Sequence, residues 1–104
     1  MTYAADRPTL EGLRARREEI LRVAEALGAT NVRVFGSVAR GEADSRSDVD
    51  VLVDVVAADG FAYFGRIEDL RRALTGLLGR DVHVVDSAGL RRMRERVLRE
   101  AVPL

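Results

Sequence analysis

Gly36, Ser37, Asp48 and Asp50 are the residues whose types and spacing could do chemistry. A short apolar run containing Val32, Val34 and Phe35 ends abruptly in Gly36-Ser37. Glycine lets a backbone approach a ligand closely. The serine offers a hydroxyl, and the start of a following helix offers N–H groups with no helical partner, so the pair forms a small anion site suited to a phosphate. Asp48 and Asp50 lie two apart in the run DVDVLVDVV, and a strand's period of two puts both carboxylates on one face. Neighbouring carboxylates resist ionisation unless a cation joins them, and oxygen-only donors favour Mg²⁺ or Mn²⁺. Ten residues separate Ser37 from Asp48. That is enough for a turn of helix and a loop that returns a second strand beside the first. A phosphate site and a metal site then face each other, and a nucleoside triphosphate is the ligand that bridges them. The expected chemistry is in-line attack on the α-phosphorus, with Mg²⁺ neutralising the phosphates. With two ions roughly 3.5–4 Å apart, one activates the attacking hydroxyl and the other stabilises the departing pyrophosphate.

The elements that must position these groups follow from the pattern on either side. Pro8 and Thr9 open a helix, Leu10, Leu13, Ile20, Ala24 and Leu27 recur at helical spacing, and Gly28 stops it. Asn31 to Phe35 is a short strand, Val38 to Gly41 a single helical turn, and Glu42 to Ser47 a polar loop. Asp48 to Val56 is a strand with valines on its odd positions, a core face, and Asp48, Asp50, Leu52 and Asp54 on its even positions, an acid-bearing face. A loop over residues 57–60 follows, with Phe61 and Phe64 either packed beneath it as core edge or forming an exposed patch for a partner. Ile67, Leu70, Leu74, Leu77 and Leu78 then mark a second helix ended by Gly79. Asp81 to Asp86 is a third strand. Asp86 or Ser87 caps a last helix whose buried stripe is Leu90, Met93, Val97 and Ala101. Strands separated by helices predict an α/β fold with helices packed on a small sheet.

At 104 residues, one domain is expected. A composition 47% hydrophobic and 33% charged fits a globular fold. There is no cysteine, hence no disulfide framework, zinc finger or thiol nucleophile. All 17 basic residues are arginine, which excludes Schiff-base and P-loop lysine chemistry and leaves arginine as the cation for phosphates. A net charge of zero argues against general attraction to nucleic acid or anionic lipid. No apolar run approaches the ~20 residues of a membrane span, and a cytoplasmic location is expected. Arginines 91, 92, 94, 96 and 99 crowd the last helix. They form a solvated face or a partner surface, with RNA binding disfavoured because no aromatic side chains interleave with them.

The run G-S, ten residues, D-x-D resembles the signature of the DNA polymerase β-like nucleotidyltransferase superfamily. The chain is most similar to its minimal nucleotidyltransferase (MNT) branch, in Ala39-Arg40-Gly41, in Ser47 before Asp48, and in a tail of Gly79-Arg80, an apolar strand and an arginine-rich helix. The resemblance spans the chain from about Leu10 onward. It implies a nucleotidyltransferase fold with a small mixed β-sheet and helices packed on it. It further implies ATP as substrate, Gly36 and Ser37 holding the triphosphate, and Asp48 and Asp50 binding Mg²⁺. Many MNT proteins are antitoxins paired with a small HEPN ribonuclease, and some transfer AMP to a tyrosine of that toxin. A HEPN-type partner is therefore expected. A homo-oligomer is left open.

One position departs from the family pattern. Alignment from Gly79-Arg80 sets His83 where a third carboxylate is usual. His83 is either a hydrogen-bonded strand residue or a metal ligand and base for the attacking hydroxyl. Imidazole suits Mg²⁺ less well than carboxylate, so the expectation is an activity reduced, shifted toward Mn²⁺, or absent. The alternative is a catalytically degenerate antitoxin that neutralises its partner by binding alone. A small-molecule acceptor is disfavoured, because the chain lacks a second domain to shape its pocket. Arg40 either contacts phosphate or is a solvated helix-end arginine, and Asp54 is expected to be a strand-end surface residue.

Overall fold

The computed structural model describes residues 7–55, 60–90 and 94–104, the side chains of 60–63 excepted. Thr9 caps the first helix by accepting the Gly12 N–H at 3.0 Å. The single helix expected up to Gly28 is divided into α1 (Leu10–Ala15) and α2 (Arg17–Ala26). Arg16 breaks it, with φ −110° and ψ 21°. Its guanidinium reaches across the molecule and donates to the Leu77 carbonyl at 2.7 Å, a tie between distant segments with no local sequence signal.

The sheet contains β1 (Ala29–Phe35), β2 (Val49–Val55), β3 (Val82–Asp86) and β4 (Val102–Pro103), in the order β3-β2-β1-β4. β2 runs parallel to β3 and antiparallel to β1, and β1 is antiparallel to β4. The sheet is thus mixed, as expected. Between β1 and β2 stands the short helix α3 (Gly36–Arg40), and α4 (Gly60–Leu78) forms the crossover from β2 to parallel β3. Gly60 opens that helix instead of closing a loop. Residues 57–59, the Phe61 side chain, Arg91, Arg92 and Met93 carried expectations that lie outside the described residues.

Leu13, Ile20, Ala24, Val34, Val38, Val49, Val51, Val53, Leu70, Leu74, Leu78 and Val82 make one buried cluster between the helices and one sheet face. Each fully buried Leu, Ile or Val contributes roughly 1.5–3 kcal/mol. On β2 the odd positions face this core, as the alternation predicts. Leu52, on the acid-bearing face, is also fully buried but stands outside that cluster, as does Val97.

Of the two readings of Phe64, exposure holds: it is 71% exposed on α4 and not packed beneath a loop. The expected last helix is corrected. The last helix does not start at Ser87. Asp86 caps only a 3₁₀ turn (Ser87–Gly89), Leu90 is extended, and α5 covers Arg94–Glu100, leaving Ala101 outside it. The chain then forms β4 on the outer edge of β1, with Arg14 donating to the Pro103 carbonyl at 2.9 Å. Among the described residues, no helix is long and apolar enough to cross a membrane.

Candidate active site

The site is built by register. Asp50 pairs with Phe35 on β1 and with His83 on β3. A bulge between Thr30 and Arg33 sets the first of these pairings. Thr30 faces Asp54, whereas Arg33 faces Leu52, so β1 holds one extra residue. Asn31 sits in that bulge with φ 52°, a conformation asparagine tolerates better than most residues. Asp54 fastens it by accepting from Asn31 Nδ2 at 3.0 Å, from Arg33 at 2.7 Å, and from the Ser87 hydroxyl. These bonds, led by that of Ser87, hold the Asp54 carboxyl below its ordinary range. Asp54 is therefore a structural clamp that keeps Phe35 opposite Asp50.

Gly36 follows at once and has φ +72°. A Cβ there would overlap Asp50 Oδ2 and stand 3.1 Å from Asp50 Cγ. Glycine is thus required twice, by the backbone angle and by the carboxylate against it. Ser37 lies in the first turn of α3, and its carbonyl accepts the Glu42 N–H at 2.8 Å.

His83 stands between the two acids. Its Nε2 is 3.2 Å from Asp48 Oδ2 and its Nδ1 is 3.3 Å from Asp50 Oδ1. Both nitrogens can donate only in the imidazolium form. The Asp50 side chain is 25% exposed against 59% for His83. Burial pushes the Asp50 carboxyl up, with the neighbouring Asp48 charge adding to it and His83 opposing. Such a group ionises more readily once a cation approaches. Asp48 and Asp50 supply the hard oxygens that Mg²⁺ takes, one or two carboxylates with phosphate oxygens and water completing the shell. Among the described residues, no group of three or more His, Cys, Asp or Glu is arranged to hold a metal alone. The donor set thus fits an ion shared with a polyphosphate and not a closed protein cage.

The loop before Asp48 is braced from behind. Arg80 donates to the Ser45 and Ser47 carbonyls, both at 3.1 Å. Asp44 organises the turn by accepting the Arg46 N–H at 2.8 Å, and Val49 N–H bonds the Asp81 carbonyl at 3.0 Å. On the other side, a cavity of about 240 Å³ is lined by Gly36, Arg40, Asp50, Arg96 and Glu100 among others. Within it Glu100 Oε1 accepts the Gly36 N–H at 2.5 Å and an Arg40 N–H at 2.7 Å. Arg40 also pairs with Glu42 at 2.8 Å.

With this geometry in view, the comparison with known proteins is decisive. The family profile described as nucleotidyltransferase domain matches residues 17–103. The chain belongs to that nucleotidyltransferase family. It is of the minimal, MNT type. It is 39% identical over 79 residues to the protein adenylyltransferase MntA of Thermococcus cleftensis, covering 75% of this chain and 77% of that protein. A solved structure assigned as a minimal nucleotidyltransferase matches with a TM-score of 0.78 at 50% identity, over 92% of this chain and 96% of the other. A toxin–antitoxin structure with AMP-PNP matches with a TM-score of 0.69 at 19% identity, over 83% and 69% of the two chains. At that identity the likeness is one of fold alone.

Gly36 lies against Asp50, and His83 links Asp50 to Asp48, while Arg40 joins Gly36 through the Glu100 carboxylate. Ser37 and Asp48 are not among the residues lining the cavity on the Arg40 side. Glu100 was missed. In the sequence it reads as one acid on an arginine-rich helix, and its partners Gly36 and Arg40 lie more than half the chain away. The only signal that could have found it is the two-residue strand after it, which is too short to recognise.

Proposed function

We propose that this nucleotidyltransferase is a single-domain, cytoplasmic antitoxin that binds MgATP and transfers AMP to a protein hydroxyl, a tyrosine on a HEPN-type toxin. Its 39% identity to a protein adenylyltransferase supports the reaction class. The observation that supports the reading is the close approach of the Asp50 carboxylate to the Gly36 backbone, which puts the proposed metal ligand beside the proposed phosphate site. In the proposed reaction the tyrosine oxygen bonds to the α-phosphorus and the bond to the bridging oxygen of the β-phosphate breaks. Pyrophosphate leaves and the phenolic proton passes to a base. A divalent cation held by Asp48 and Asp50 would neutralise phosphate charge and orient the α-phosphorus. Gly36 and Ser37 anchor the triphosphate and Arg40 offers a guanidinium to it. His83 either fills the third position between the two acids or, neutral and with one nitrogen released from its carboxylate, accepts the proton.

The test is incubation of the protein with labelled ATP and a HEPN-type toxin, under Mg²⁺ and under Mn²⁺. Label on the partner is expected, and it should vanish when the acceptor tyrosine is changed to phenylalanine. An unlabelled partner under both metals overturns the reading.

A second reading has its own observation. His83 engages both acids at once, and such a pairing opposes cation entry. Here the protein neutralises its partner by binding alone. Neutralisation that survives Asp48→Asn combined with Asp50→Asn would favour this reading over transfer.

A further inference from the structure

The Gly36 amide and the Arg40 guanidinium converge on one oxygen, Glu100 Oε1. The β-ladder explains how a residue so distant in sequence reaches them. Val34 pairs with Val102 and Arg33 with Pro103, which brings the end of α5, whose last residue is Glu100, beside the junction of β1 and α3, whose first residue is Gly36. The ladder is reinforced by Leu104 N–H on the Val32 carbonyl at 3.1 Å. The Glu100 backbone is thus fixed while its side chain, 17% exposed, turns into the cavity. Asp50 lies on the wall of that cavity and so does Arg96, one turn before Glu100 on α5.

A carboxylate that accepts from a backbone amide and a guanidinium makes the contacts a phosphate oxygen would make there. Glu100 and a phosphate cannot hold these donors together, because two anions would then share a small cavity with Asp50. We infer that Glu100 is a built-in stand-in for a phosphate, released by side-chain rotation when a nucleoside triphosphate takes Gly36 and Arg40, with Arg96 as a further phosphate contact. This rests on the nucleotide-binding reading above and adds two residues to it, one that binds and one that competes. The fixed backbone at Glu100 means that exchange needs no movement of α5 or β4. Arg96 is exposed at the cavity wall, and its long side chain has the reach and charge to meet an incoming phosphate.

The experiment is calorimetric titration of the full chain with ATP and, separately, inorganic triphosphate, both with Mg²⁺, and with adenosine as the uncharged control. Glu100→Gln keeps the shape and removes the charge, and it should bind both polyphosphates about tenfold more tightly than the wild type. Arg96→Gln should bind both about fivefold more weakly. Neither should change the response to adenosine. If Glu100→Gln fails to fold, Glu100→Asp retracts the carboxylate and should give a smaller gain in the same direction. Unchanged or weaker binding by a folded Glu100 variant overturns the inference, as does unchanged binding by Arg96→Gln. A wild type that binds while the Glu100 variants gain nothing removes this inference alone. If neither wild type nor Glu100→Gln binds any triphosphate, the nucleotide-binding reading itself falls and this inference falls with it. Binding by Glu100→Gln where the wild type shows none supports it.

Discussion

Gly36 and Asp50 meet across the β1–β2 pair with no room for a side chain between them. The glycine's left-handed backbone angle and the carboxylate at its Cα are two constraints on one position. Gly36→Ala should therefore lower stability by about 1–2 kcal/mol from backbone strain alone, and displacement of Asp50 should add loss of ATP binding. Thermal melting and ATP titration check the two effects separately.

Asp48→Asn and Asp50→Asn should each reduce AMP transfer by about 100-fold or more. Asp50→Asn should leave the melting temperature unchanged or raised, since burial already disfavours the charged form of this carboxyl. Coupled measurement of transfer and melting distinguishes a chemical role from a structural one.

His83→Asp should raise transfer with Mg²⁺ relative to Mn²⁺ by about tenfold, because carboxylate suits the harder ion better than imidazole does. Equal Mg²⁺ rates for wild type and variant would defeat the proposal that His83 limits activity.

Asp54 predicts an acid sensitivity. Its folded carboxyl is held below the ordinary value of 3.8 by Ser87, Asn31 and Arg33. A lowered carboxyl contributes stability above its unfolded value and loses it as pH falls through the folded one. Melting temperature should drop more steeply below pH 3.8 in the wild type than in Asp54→Asn, whose melting curve should be lower and flatter over that range. The effect is modest, since the side chain is 43% exposed.

Arg80→Ala should slow transfer by about tenfold through loosening of the loop that delivers Asp48. The fall should appear in kcat more than in KM for ATP, because the Gly36 side of the site is untouched.

The acid pair was legible in the sequence because its signal is local. Asp50 lies in β2 and Asp48 immediately before it, two residues apart and both against His83, and the short stretch after Ser37 leaves room only for α3 and a loop. The helix that becomes α4 and the strand after it were legible for the same reason, from a leucine stripe and a glycine stop, whereas the parallel pairing of β2 with β3 was not. What escaped was set by contacts between distant segments. Arg16, where the first helix breaks, is tied to a carbonyl 61 residues away. β4 is two residues, one of them proline, and exists only because β1 offers an edge. The bulge at Asn31 is held by Asp54 and Ser87, so neither its presence nor the register it creates could be read from β1 itself. Asp54 looked like a surface residue for the same reason.

Leu52 has a consequence for how this sequence can drift. It is sealed from solvent midway between Asp50 and Asp54 on the same strand face. Hydrocarbon thus partitions that face into two polar neighbourhoods, one holding Asp50 with His83 and the other the Asp54 clamp. Substitutions in the clamp therefore reach the acid pair through the β1–β2 register and not across that face, and a polar replacement of Leu52 would merge two districts that the fold keeps apart.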